Sequence, residues 1–215
     1  MRKCAILRLE VNDMEEVYAA LIIDLKASRK YPDRDRKEIQ DYWNKITQIL
    51  NTIFKKNMEF EVDFSGGDQI QGLFYTPEAA YLYYRLFSMC THPIQTHGGI
   101  GVGSCNIQLD DKHTGGQDGI AYHKARAASD LADADIGYPI LLNSGNIDRD
   151  RIINSLIGIA ALTALRHKAR QNQIMLLTEL LYPISDGDAP FDREMMAGEI
   201  NELIMLKSEF DQNVE

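Results

Sequence analysis

Cysteine is scarce in this chain: Cys4, Cys90 and Cys105 are the only three among 215 residues. They are widely spaced and form no C-x-x-C pair, which argues against a structural zinc site. A small odd number suits a reducing compartment, so a cytoplasmic location is expected. Residues 1–13 lack the apolar centre of a secretory signal. Long apolar runs are missing too. The longest candidate, residues 152–165, is interrupted by Asn154, Ser155 and Thr163, so no membrane span is expected. Positive charge is also short: 23 Lys and Arg against 32 Asp and Glu leave a net charge of −9. That excludes an obligate nucleic-acid binder relying on a broad basic surface. It leaves room for a phosphate ligand, which needs only local cations or a metal. No internal repeat or low-complexity run is present.

What the chain does have is a core-forming composition, 45% hydrophobic and 26% charged, in a length that suits one domain or one domain with a helical appendage. Residues 17–25 are a nearly continuous apolar run containing Asp24, as in a central strand buried on both faces. A polar loop with Pro32 follows. In residues 36–56, Ile39, Tyr42, Trp43, Ile46, Ile49, Leu50 and Ile53 recur at spacings of three and four, which predicts an amphipathic helix. Asp63 to Phe74 reads as strand, tight turn, strand, with Gly66 and Gly67 at the turn and Asp68 just after it.

Thr76-Pro77 is a helix start, Thr as N-cap and Pro at the first helical position, and the helix should run to about Thr91. Its tyrosines, Tyr81, Tyr83 and Tyr84, sit at core spacing. Residues 95–106 form a glycine-dense strand. Gly98, Gly99, Gly101 and Gly103 leave room beside it for a nucleotide or for the neighbouring helix. A polar loop over 110–119, a helix over 121–133 and a strand over 138–142 follow. Helices are expected over 147–165, 168–182 and 193–210, and residues 5–9 are a candidate edge strand.

The order is βαββαβαβ followed by helices. It predicts an α/β (α+β) fold: a ferredoxin-like core with a central antiparallel hairpin, helices on one face, and additional C-terminal helices. A division into residues 1–145 and 146–215 is expected. In this topology the end of the first strand neighbours the hairpin, so Asp24 and Asp68, 44 positions apart, can converge. Two such carboxylates offer hard oxygen ligands to Mg²⁺ or Mn²⁺, with triphosphate oxygens completing the shell. Ser28, Arg29 and Lys30, just past Asp24, either contact phosphates or belong to a surface loop. His97 and His123 read first as structural histidines, and Arg126 either clamps a phosphate or pairs with Asp130 one turn on.

The stretch Ser65 to Ile70 resembles the turn of GGDEF-type diguanylate cyclases, with Gln69 and Ile70 replacing the last two positions. Ile22-Ile23-Asp24-Leu25 is similar to the first metal-binding strand of class III nucleotidyl cyclases, and His97 to Gly103 to their glycine-rich strand. The segment Gly119 to Arg126 looks like the helix start that carries an asparagine and an arginine there. Aligning that asparagine with His123 leaves Ala127 at the arginine, and aligning on Arg126 puts Tyr122 at the asparagine. More closely, the chain resembles the SatD family over roughly residues 15–145. Asp24 through Ser28-Arg29 matches a "D-x-x-x-S-R" start, Gly67 through Leu73 matches "GDEFQGLL", and Asp118 through Arg126 matches "DGPAFHRAR".

The resemblance implies a palm domain that binds a nucleoside triphosphate with Mg²⁺ or Mn²⁺. Asp24 and Asp68 would be metal-ligating and catalytic. Ser28, Arg29, Gly66, Gly67, His123 and Arg126 would hold the nucleotide. An active protein would be a nucleotidyl cyclase or cyclic-oligonucleotide synthetase; the alternative is a sensor that binds without turnover and reports through its C-terminal helices to a partner or to DNA. A homodimer with its site between two chains is implied. SatD proteins commonly end in a helix-turn-helix, but no recognition helix stands out here, and Arg166, Lys168 and Arg170 read as a solvated face.

Overall fold

The computed structural model of the chain describes residues 16–106, 118–134, 138–164, 166–181 and 196–214. The candidate edge strand at residues 5–9 lies outside them, as does most of the polar loop before Gly119. Five strands form one sheet: β1 (Val17–Leu25), β2 (Met58–Gly66), β3 (Gln69–Phe74), β4 (Thr96–Ser104) and β5 (Ile140–Asn143). Six α-helices accompany them: α1 (Asp33–Phe54), α2 (Pro77–Thr91), α3 (Ile120–Asp133), α4 (Ile147–Ala164), α5 (Ala169–Leu181) and α6 (Ala197–Val214).

The sheet order is β2-β3-β1-β4-β5. β1 lies between β3 and β4 and is antiparallel to both, and β5 is added parallel to β4. The first four strands with α1 and α2 are the ferredoxin-like core, and α3 is the crossover that parallel β5 requires. The hairpin is central in the chain order, while its outer strand β2 is an edge of the sheet.

β1 is apolar throughout because both of its faces are covered. Ala19, Leu21, Ile23 and Leu25 enter the large core with α1 and α2. Tyr18, Ala20 and Ile22 enter a second core with Ala121, Tyr122 and Ala125 of α3. The expectation of helices on one face is therefore corrected: α3 covers the opposite face. The glycines of β4 are what admit it. A Cβ at Gly101 would lie 2.1 Å from the carbonyl oxygen of Ala121, and one at Gly99 would lie 2.1 Å from that of Ala125. The space beside β4 thus belongs to a helix whose contact face is alanine.

The hairpin is fastened to α1. Register shifts on either side of Phe60, between Met58 and Phe60 and between Phe60 and Asp63, leave Val62 out of the β3 ladder. Asn51 of α1 takes up its backbone instead, donating Nδ2–H to the Val62 carbonyl (2.8 Å) and accepting the Val62 N–H at Oδ1 (3.2 Å). A bulged segment whose polar groups are met in this way is held without a strand partner. At the tip, Gln40 Nε2 donates to the Gly67 carbonyl at 3.0 Å.

α5 and α6 complete the main core through Leu176, Leu180, Ile200 and Leu203. Phe210 stacks on Tyr42 of α1 with ring centroids 4.1 Å apart. Buried charges are paired: Arg85 meets Glu179 at 3.1 Å, and Lys207 meets Asp211 while donating to the His92 carbonyl at 2.6 Å. Among the described residues no helix is long and apolar enough to cross a membrane.

Candidate functional site

Asp24 ends the buried run of β1 on the face covered further back by α3. Its cross-strand partners are Gln69 on β3 and His97 on β4. Its Oδ1 accepts the N–H of Leu25 at 2.8 Å, which fixes the carboxylate at the strand end. Asp68 immediately precedes Gln69, so the register places it one residue along from the position opposite Asp24. Consecutive Cα atoms are about 3.8 Å apart, so Asp68, in the turn, lies one such step from the cross-strand partner of Asp24. Asp68 Oδ2 is buried with no hydrogen-bond partner. A buried, unsatisfied carboxylate oxygen is costly, and a cation at that point would satisfy it.

Gly67 supplies the turn with φ +59°, a conformation that disfavours side chains. A Cβ at Gly66 or Gly67 would meet nothing within 4 Å, so the tip is open in front of both. Among the described residues no group of three or more His, Cys, Asp or Glu side chains gathers at one point. An ion held by Asp24 and Asp68 would take its other ligands from a bound molecule or water.

The loop after β1 adds donors that the sequence does not announce. Ala27 is left-handed, φ 56° and ψ 37°, and Ser28–Lys30 makes one 3₁₀ turn. The amides of Lys30 and Tyr31 close back on the carbonyls of Ala27 and Ser28, and that of Lys26 bonds the Gln95 carbonyl just before β4. The amides of Ala27, Ser28 and Arg29 meet no backbone acceptor among the described residues. Consecutive N–H groups in a left-handed then right-handed conformation form an anion-binding concavity. Alanine rarely adopts this conformation, so nothing in the residue type signals it. Arg29 and Lys30 are exposed beside it.

His123 and Arg126 lie elsewhere. α3 runs antiparallel to β4, with Ala121 against Gly101 and Ala125 beside Gly99. His123 therefore sits near the level of Gly101, four strand residues from His97 and Asp24, or about 13 Å along the sheet. Both side chains are exposed. His123 Nε2 is 3.3 Å from Asp118 Oδ1; Arg126 forms no ion pair with Asp130. Arg126 follows Ala125 and so lies nearer the level of Gly99. Lys124 is structural, donating to the carbonyls of Val102 (2.8 Å) and Ser144 (2.9 Å) and so tying α3 to the ends of β4 and β5. A cavity of about 200 Å³ lies between α2, the start of β4 and the α4–α5 region, lined by Tyr84, Arg85, His92 and Asn172. None of the candidate residues lines it.

The model of the SatD family matches residues 18–210, nearly all of the described chain. No curated protein matches in sequence. Among solved structures, a bacterial light-regulated adenylyl cyclase is similar at 17% identity with a TM-score of 0.41, over 62% of this chain and 44% of that one. The chain thus spans less than half the length of that protein.

Proposed function

The chain belongs to the SatD family, and from its site geometry we propose that it binds a nucleoside triphosphate together with Mg²⁺ or Mn²⁺ at the β1–hairpin junction. The observation that supports this reading is the register of Asp24 opposite Gln69, the residue that follows Asp68 and its unsatisfied buried oxygen. Two carboxylates are a hard donor set of the kind these ions prefer. The amides of Ala27, Ser28 and Arg29, with the Arg29 side chain, would hold the outer phosphates. Gly66 and Gly67 keep the hairpin tip clear for them. Bound there, the ion would neutralise phosphate charge and orient the triphosphate. In turnover the ribose 3′-oxygen would bond to the α-phosphorus, and pyrophosphate would leave. The resemblance gives His123 and Arg126 phosphate contacts across two chains, in keeping with their distance from the carboxylates of their own chain.

A second reading, binding without turnover, is favoured by the way α5 and α6 share the palm's core and its buried ion pairs. Occupancy of the palm would then alter a surface offered to a partner or to DNA. Titration with labelled nucleoside triphosphates in Mn²⁺ or Mg²⁺, with pyrophosphate release measured in parallel, separates the readings. Release supports a cyclase or synthetase, and tight metal-dependent binding without release supports the sensor. Absence of metal-dependent binding, or binding unchanged in both Asp24→Asn and Asp68→Asn, overturns both.

A further inference from the structure

Helix α4 is apolar on both faces, and only one of them is covered. Its inner face packs on the sheet edge. Gly158 rests against the Tyr138 ring, so closely that a Cβ there would overlap it. Asn154 bonds both the N–H (2.7 Å) and the carbonyl (2.9 Å) of Leu142 on edge strand β5. Ile153 and Ile157 reach the main core. The outer face carries Ile152, Leu156, Ile159 and Leu162, which are 66%, 64%, 67% and 40% exposed. Spacings of four, three and three place them in a single stripe. Together they expose on the order of 500 Å² of apolar surface, in the range of the largest patch a monomer usually shows. A helix apolar all round is normally buried all round.

The stripe is self-complementary when reversed. Asp148 stands in the first turn of α4 and Arg166 in the turn two residues past its end at Ala164, both exposed. Set against a second α4 running the other way, Asp148 falls opposite Arg166 of the other copy, Ile152 opposite Leu162, and Leu156 opposite Ile159. The numbers in each pair sum to 314 or 315, so one two-fold axis near residue 157 satisfies all three at once. Among the described residues Asp148 has a 4.0 Å contact with Arg151, and both side chains are largely exposed.

We propose that α4 is a homodimerisation surface on which a second copy of this chain docks its own α4 antiparallel, with Leu156 and Ile159 at the centre and Asp148–Arg166 pairs at both ends. Two such stripes form the apolar centre of an interface of standard size, about 800 Å² per partner. The surface is argued from α4 alone and does not depend on the nucleotide reading.

Sedimentation of the full chain over about 1–100 µM tests it. The wild type is expected to be a dimer. Leu156→Glu should weaken association at least 100-fold while leaving the circular dichroism spectrum and unfolding temperature of the monomer intact. Asp148→Arg and Arg166→Asp should each weaken it about 3- to 10-fold, and the double variant should recover most of the loss. That recovery reads out the antiparallel pairing, which a misfolded variant could not mimic. A wild type that stays monomeric throughout, a dimer indifferent to Leu156→Glu, or charge variants whose losses simply add would each overturn the proposal. Metal-dependent nucleotide binding, measured separately, is free to persist or fail in any of these cases.

Discussion

Replacing Gly101 with alanine tests whether the glycine strand exists to admit a helix or a ligand. The added Cβ would lie 2.1 Å from the Ala121 carbonyl oxygen, 2.2 Å from the Ala125 nitrogen and 2.8 Å from the Lys124 carbonyl carbon. All three are backbone atoms of α3, so no side chain can swing aside. Ordinary contact begins near 3.4 Å, so α3 must retreat by about 1.3 Å (3.4 − 2.1) or β4 must bend away. Either movement loosens the packing of Ala121, Tyr122 and Ala125 on β1. Overpacking of a rigid core costs about 1–3 kcal/mol, and an obstruction made wholly of backbone belongs at the upper end. For a chain of this size, ~3 kcal/mol corresponds to a fall of roughly 6–12 °C in the unfolding midpoint. Scanning calorimetry reads that directly. Gly66→Ala is the control: nothing stands within 4 Å of its Cβ, so its midpoint should stay within about 2 °C of wild type, the ~0.5 kcal/mol of a surface change. A Gly101→Ala protein as stable as wild type, and weakened instead in nucleotide binding, would refute the helix packing and return the strand to the ligand.

Three further outcomes follow from the same contacts. Glu179→Gln leaves Arg85 buried against a neutral partner and should cost about 3 kcal/mol in urea unfolding, whereas joint replacement by Arg85→Met and Glu179→Leu should recover most of it; equal losses for the two proteins would mean the pair matters only for its volume. Burial, with the nearby Lys207 charge second, holds the His92 imidazole below its ordinary pKa of 6.5. The unfolded chain therefore gains this proton first as pH falls, and the contribution of His92 to stability, complete above 6.5, is lost below it. The unfolding midpoint should drop between pH 7 and 5 and drop less in His92→Gln; parallel slopes would remove His92 as the cause. Asp68→Asn discharges an unsatisfied buried carboxylate, so without metal it should unfold no earlier than wild type, while metal-dependent nucleotide binding is lost. Earlier unfolding would give Asp68 a structural duty instead.

The elements of this fold were legible wherever periodicity and punctuation agreed. The unbroken apolar run of β1 required cover on both faces, the spacing of α1 required an amphipathic helix, and Thr76-Pro77 marked the start of α2, where Thr76 Oγ1 accepts the Ala79 N–H at 3.2 Å. These are local matters, settled by backbone dihedrals, capping and the side on which apolar atoms fall. The pairing of Asp24 with the hairpin was reachable because βαββαβ chains have few ways to order their strands. Other features had no local signature. Which face α3 covers depends on bare glycine backbone in β4 meeting alanines twenty or more residues later. The left-handed turn at Ala27, between β1 and the 3₁₀ turn at Ser28–Lys30, has no signature in the residue type, since alanine by itself avoids it. The position of His123 and Arg126 along the sheet likewise follows from α3 running antiparallel to β4, which no local pattern announces. Covalent order sets what each segment can become; the distances between segments exist only once the sheet has closed and its two faces have been covered.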